Sequence, residues 1–407
     1  MTPAGRAQLE ALVRAEMVGL PIEVHDARTG IPLTVVGFGA EEVIGAMEAL
    51  IDTRVTMGQR VSAFEAAWAR YCGQTQGVMV NSGSSANLVM LAALVETGRL
   101  QPGDEVLVPA VTWSTSLFPV VQAGLVPVMV DVHPDTLCID PESARRARSP
   151  RTRAVLAVHL LGAVADTDAF TDLLVLEDAC GAHGARLGDR RVGSLGHAAA
   201  FSFFFSHHIT TIEGGIVVTS DVELADAMRS IRAHGWVRER SDRAQLIAAH
   251  PEIDPRFLFV SAGYNLRPTE VQGAFGLVQM ERLDAWVDQR RRNHAEWCAL
   301  LAGVSGLRVY PEQAGTLHAG FAFPMLVERD RAPLMRLLEA RGVETRPISG
   351  SNLARQPAFA RVSARTPVPL PVADAIHERG FFVGNSHAFG PAHGALLAEV
   401  ITAWSTC

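Results

Sequence analysis

The chain contains no lysine. All 36 residues in the Lys and Arg total are arginine, so no side-chain amine exists to form an imine with an aldehyde or ketone. Cysteine is scarce and scattered: Cys72, Cys138, Cys180, Cys298 and Cys407 include no CxxC pair. That pattern argues against a zinc or iron–sulfur framework and for reduced structural thiols, so no metal is expected. The formal charge is -7 and no basic cluster stands out, which leaves a nucleic-acid partner without electrostatic support. No apolar run approaches the roughly 20 residues that span a bilayer. The N-terminus lacks a signal-peptide pattern, and a cytoplasmic, membrane-free setting is expected. Repeats and low-complexity segments are absent.

What remains is an apolar, ordinary globular composition: 407 residues, 48% of them hydrophobic. This length suits about two or three domains. From about Thr34 to Thr219, short apolar runs such as GVMV, DEVLVPA, VPVMVDV, RAVLAVHL and LLVLEDA alternate with stretches of helical period. The alternation predicts an α/β domain with a mainly parallel sheet. Arg267–Leu301, free of proline after Pro268, reads as one long connecting helix. Later segments such as AGFAFPMLVE and HGALLAEVITAW predict a smaller α+β domain. The expected division is a helical arm at 1–30, a large domain at 31–285 and a small C-terminal domain at 286–407.

Three stretches carry chemistry. NSGSSANLVMLAAL sets Gly83, Ser84 and Ser85 where a strand at 78–80 gives way to a helix at 84–94. Such a junction cradles phosphate through backbone N–H groups and the helix dipole, although a plain serine cap gives the same pattern. LLVLEDACGAHGA ends a buried strand on Asp178, where α/β sheets place their ligands and where turn-capping carboxylates also sit. SFFFSHHITTIEGGIVV predicts a strand at 202–205, a turn bearing His207 and His208, and another strand.

Taken in order, NSGSSANL, VPAVTWSTSLFPV, DVHPDTLCID, LEDACGAHGA, FSFFFSHHITTIEGG, GYNLRPTEVQGAFGLVQMERLD and ETRPISGSNL resemble the sugar aminotransferases, DegT-type enzymes of the fold-type I, aspartate-aminotransferase-like class. The match runs over nearly the whole chain. The resemblance implies pyridoxal 5'-phosphate as cofactor, with Gly83, Ser84 and Ser202 on its phosphate. Asn265 would reach a phosphate across a homodimer interface with shared sites, Trp113 would stack on the ring, and Asp178 would pair with the pyridine nitrogen. Trp113 taken alone is as consistent with a core aromatic. Gly181 departs from the pattern, since the family commonly carries Gln or Glu there.

In this family the Schiff-base lysine lies six residues before the Glu-Gly-Gly glutamate, and counting back from Glu213 reaches His207. The sequence is more similar still to the family's 3-dehydratase branch, the enzymes of GDP-4-keto-6-deoxy-D-mannose in colitose biosynthesis, where histidine replaces that lysine. The branch implies non-covalently bound pyridoxal and pyridoxamine phosphate, and a nucleotide-linked 4-keto-6-deoxy sugar losing its C3 hydroxyl. By the same resemblance His207 would serve as acid and base, glutamate would restore the amine, and no iron–sulfur cluster would take part. Neighbours on an extended segment point opposite ways, so His208 is expected to be structural. His234 and His387 are candidate pocket residues by the same resemblance. Arg238 and Arg267 suit a carboxylate, with surface ion pairing as the alternative. Two other readings stay open: an enzyme of antibiotic biosynthesis that keeps the C4 amine on another nucleotide- or nucleoside-linked keto sugar, and a catalytically silent partner protein.

Overall fold

The computed structural model describes residues 2–20, 22 and 24–405. Seven strands form the main sheet: β1 (Gln76–Val80), β2 (Glu105–Pro109), β3 (Val126–Val130), β4 (Thr152–Val158), β5 (Leu174–Asp178), β6 (Ala198–Ser202) and β7 (Gly215–Thr219). Their order is β1-β7-β6-β5-β4-β2-β3. β7 runs against its neighbours β1 and β6, while the pairs from β6 to β3 are parallel. These strands are buried almost end to end because helices cover both faces, which explains why they read as continuous apolar runs.

Both sheet edges are closed by groups from elsewhere. At β1, Glu65 Oε1 accepts from the Met79 N–H (2.7 Å) and Arg232 Nη1 donates to the Met79 carbonyl (2.5 Å). At β3, residue 365 exchanges backbone bonds with Pro127 and Met129. These bonds occupy the middle of each edge strand.

A second sheet combines β8 (Leu307–Val309), β9 (Ala322–Val327), β10 (Thr345–Pro347) and β11 (Gly380–Gly384) in the order β8-β9-β11-β10. It packs with the helices Leu283–Leu301 and Pro391–Ser405 around Trp297, Phe323 and Phe381. A helix at Pro3–Glu16 begins the chain. No helix among the described residues is long and apolar enough to cross a membrane.

Two local expectations are corrected. The segment expected as one helix over 267–301 is two, Glu270–Met280 and Leu283–Leu301. Thr269 and Gln272 form a capping box that fixes the first start three residues past Arg267. The strand expected at 202–205 ends at Ser202: the Phe203 N–H bonds Gly214 and the chain then turns, carrying His207 and His208 in a loop.

Candidate active site

The carboxyl ends of β1, β2, β5 and β6 and the start of β7 face one edge of the sheet, where ligands of such sheets collect. The helix Gly83–Glu96 starts there, capped by Ser82, whose Oγ accepts from the Ser85 N–H (3.1 Å). The cap therefore lies ahead of Gly83, and the Ser85 hydroxyl donates to Asn81 Oδ1 (2.6 Å). The first-turn N–H groups have no intrahelical partner, and exposed Ser84 stands beside them. Gly83 is required by close approach: a Cβ on it would lie 2.4 Å from Ser202 Cβ and 2.9 Å from Ser202 Oγ. Gly83, Ser84 and Ser202 are thus brought together at the helix start.

Asp178 ends β5 and is 5% exposed. Its Oδ2 accepts from Asn87 Nδ2 (2.9 Å) and Ser116 Oγ (2.7 Å), and its Oδ1 from the Cys180 N–H (3.2 Å). Ser116 Oγ also meets Thr112 Oγ1 at 2.7 Å. Among the described residues no cation pairs with this carboxylate, and a buried carboxylate without a counter-ion invites a cationic ligand. Asn87 and Ser116 were missed by sequence reasoning, although a lone Asn inside an apolar helix was a usable signal. Trp113 precedes the helix Ser114–Gln122 and is 61% exposed, with its carbonyl accepting from the Ser116 N–H (3.0 Å). The core alternative for Trp113 is thereby removed.

The two histidines differ in their bonding. His208 is buried, and its Nε2 donates to the Ala319 carbonyl (3.0 Å), so its Nδ1 accepts from His183 Nδ1 (3.1 Å). His207 is half-buried; its Nδ1 is buried with no partner, and its ring lies 5.2 Å from that of Phe321. Burial, then the Arg290 charge, pull the His207 pKa down to about 3. The opposite-face expectation for this pair fails because the segment is a bend: both rings lie near His183, at 6.0 and 5.1 Å.

With this arrangement in view, the family model of the DegT/DnrJ/EryC1/StrS aminotransferases matches residues 39–401. The chain belongs to that family. It is 40% identical over 365 residues to a GDP-4-keto-6-deoxy-D-mannose 3-dehydratase of Yersinia pseudotuberculosis, covering 85% of this chain and 91% of the relative. It is 35% identical over 371 residues to a dTDP-4-dehydro-2,6-dideoxy-D-glucose 3-dehydratase of Saccharopolyspora spinosa, covering 84% and 80%. Among solved structures, the E. coli GDP-4-keto-6-deoxy-D-mannose 3-dehydratase with bound hydrated PLP superposes with a TM-score of 0.86 at 33% identity, covering 91% of this chain and 99% of that one. A GDP-4-keto-6-deoxymannose 3-dehydratase with a trapped PLP-glutamate geminal diamine gives 0.84 at 32% identity, covering 91% and 100%. The fold is that of the family's pyridoxal-phosphate aminotransferases.

The remaining candidates of this DegT-family chain are dispersed. The Asn265 loop lies beside that helix start of its own chain, since the Leu266 carbonyl accepts from the Asn81 N–H (3.0 Å), while Asn265 Oδ1 accepts from Arg267 Nε (2.9 Å). Arg238 is exposed with its guanidinium 3.8 Å over the Trp236 ring, so cation–π stacking replaces the surface ion pair. His234, exposed at φ +66°, donates its N–H to the Tyr264 carbonyl. His387 is committed: its ring stacks 3.9 Å from Trp286 and its Nε2 donates to the Ile22 carbonyl (2.7 Å). It touches none of Gly83, Ser84, Ser202, Asp178 or His207.

Proposed function

We propose that the chain is a pyridoxal/pyridoxamine phosphate-dependent 3-dehydratase of a nucleotide-linked 4-keto-6-deoxy sugar. The observation that carries this is an imidazole, His207, at the family's lysine position in a chain without any lysine. The cofactor fits the residues present: a glycine-floored anion cradle and a buried carboxylate lacking a cation. Gly83, Ser84 and Ser202 would hold the phosphate, Asp178 the protonated ring nitrogen, and Trp113 one ring face. When bound, the cofactor supplies an amine to condense with the sugar ketone and a sink for electrons.

His207 is neutral at physiological pH and can take a proton and return it to the departing C3 hydroxyl. Its neutrality suits the base half of that task; the acid half follows once it holds the abstracted proton. Arg267 and Arg238 are suited to the carboxylate of glutamate, which would restore the amine. The same reading makes the protein a homodimer with Asn265 completing the partner's phosphate site, divides the chain at 1–30, 31–285 and 286–407, and places it in deoxysugar or other natural-product biosynthesis. Similarity to both GDP- and dTDP-sugar dehydratases supports a second reading, in which the nucleotide and the fate of the amine differ.

Purified enzyme incubated with pyridoxamine phosphate, glutamate and a panel of GDP-, CDP-, dTDP- and UDP-linked 4-keto-6-deoxy sugars tests this by mass spectrometry. One member should lose one oxygen, its C3 hydroxyl replaced by hydrogen, as glutamate is converted to 2-oxoglutarate and ammonia. Simple amination with retention of the C3 hydroxyl in every case overturns it.

A further inference from the structure

We propose that Arg290 is a positioning residue for His207, acting through the strap His318–Phe321 and through its own uncompensated charge. The proposal rests on the reading of His207 as the proton carrier. Arg290 projects from the helix Leu283–Leu301 and is 6% exposed. Its Nη1 donates to the carbonyls of Phe321 (3.3 Å) and Asn385, its Nε has no partner, and among the described residues no carboxylate pairs with it. The next residue, Arg291, is paired with Glu312 (3.0 Å). Burying a guanidinium without a counter-ion is expensive, and burial drags its pKa down to about 10. Capping two carbonyls does not require a full charge.

The strap is pinned at every residue. The Gly320 N–H bonds His318 Nδ1 (2.8 Å) and the Ala319 N–H bonds Gly162 (2.8 Å). The Ala319 carbonyl receives His208, and the Gly320 carbonyl receives Asn385 Nδ2 (2.9 Å), which also donates to the Arg290 carbonyl (2.9 Å). Asn293 donates to Asn385 Oδ1 (3.1 Å). Gly320 lies at φ +61°, and a Cβ there would sit 2.9 Å from the Arg290 backbone. The purpose of this rigidity is legible at its end: Phe321 packs on His207 and, on another side, lies 3.8 Å from the Cβ position of Gly181. A longer residue at 181 would grow towards that ring.

The loop of His207 itself, the segment after β5, the strap and the helix Leu283–Leu301 all bear on its ring. Phe204 of its own loop lies at 6.3 Å, His183 after β5 at 6.0 Å, Phe321 of the strap at 5.2 Å, with the neutral, internally bonded His208 adjacent and Arg290 beyond. Among the described residues Arg290 is the one permanent charge acting on His207, and it opposes protonation. A base kept free of protons, under an immobile ring, is the result.

The test needs no turnover. In cofactor-free protein with labelled histidines, the His207 resonance, assigned through His207→Asn, is followed between about pH 4 and 8. Wild type and Arg290→Lys should stay neutral throughout, whereas in Arg290→Met the midpoint should rise, so that the resonance begins to titrate at the acidic end of the range. Arg290→Gln serves in place of Met if that variant does not fold. In turnover, the acidic limb of kcat/KM should rise only in the uncharged variants, and Asn385→Ala should lower kcat with the limb unmoved. Unchanged His207 midpoints in the uncharged variants reduce Arg290 to a structural cap and overturn the proposal. A shifted midpoint with no dehydration of any sugar would instead leave the positioning intact and sink the functional reading.

Discussion

At the end of β5 the chain satisfies a carboxylate with its own donors; five residues beyond β6 it leaves an imidazole nitrogen with none. Asp178 is held by Asn87, Ser116 and the Cys180 N–H, and Ser116 is steadied in turn by Thr112. His207 is held by rings, with its buried Nδ1 unbonded. Hydrogen bonds fix the first group in one orientation, which suits the binding role proposed for it. Packing against rings leaves the second with no fixed hydrogen-bond partner, which suits the proton carrier proposed for it.

Breaking the open end should have the largest effect. His207→Asn keeps approximate size and removes the titratable group, so dehydration should fall about 10²–10⁴-fold while the cofactor still binds. Steady-state rates with cofactor titration check both halves, and a wild-type rate would show that the loop has been misread. Breaking the closed end should cost less. Ser116→Ala removes one of three bonds to a buried carboxylate, worth about 1.5–3 kcal/mol for a charged partner, so cofactor affinity or kcat should drop about 10–100-fold. A loss smaller than twofold would mean that Asn87 and the Cys180 N–H fix Asp178 without Ser116.

Acid should act on the histidine side first. His207 and His387 are pulled to about 3 and His294 to about 4, while His183, His208 and His318 are pushed well below 6.5, in each case chiefly by burial. A histidine with a depressed folded pKa binds its proton more readily in the unfolded chain. Its contribution is therefore intact above about 6.5 and is lost as pH falls towards the folded value, at about 1.4 kcal/mol per unit for each group. Denaturant midpoints should hold from neutral pH down to about 6.5 and then decline steeply to pH 4. His208→Asn should flatten part of that decline and destabilise the protein by about 1–3 kcal/mol at neutral pH, because Ala319 and His183 lose their partner. Its effect on turnover should be within a few-fold; a dead His208→Asn beside an active His207→Asn would exchange their roles.

The sheet was legible because its strands are buried on both faces and announce themselves as apolar runs between glycines and helical stretches. Gly83 and Ser202 were legible together only through the order of motifs, and the contact between them explains the glycine. What stayed hidden depends on long-range assembly. Arg290 sits in an RRR run that has no periodic signal, and Phe321 reaches His207 from 114 positions away in the chain. The end of β6 was misplaced for a related reason. Phe203–Phe205 have strand propensity, yet the Phe203 N–H is claimed by Gly214 and the backbone turns before Phe204 and Phe205, which stay exposed.

The smallest expected effect is none at all, and it is the sharpest check on the open end. Reduction of the pyridoxal-phosphate complex with borohydride fixes any imine between cofactor and side chain, and a chain without lysine has no side-chain amine to offer. The intact mass of the wild-type chain should not change. His207→Lys should gain the mass of one reduced cofactor, because the new amine stands where His207 now faces Phe321 in a pocket of low polarity, and such a setting favours the unprotonated, nucleophilic amine. That variant should also transfer amine at the expense of dehydration. If the wild type acquires the adduct, a nucleophile other than lysine has captured the aldehyde; if His207→Lys does not, the ring of His207 is turned away from the cofactor and the contrast between the two ends of the site is lost.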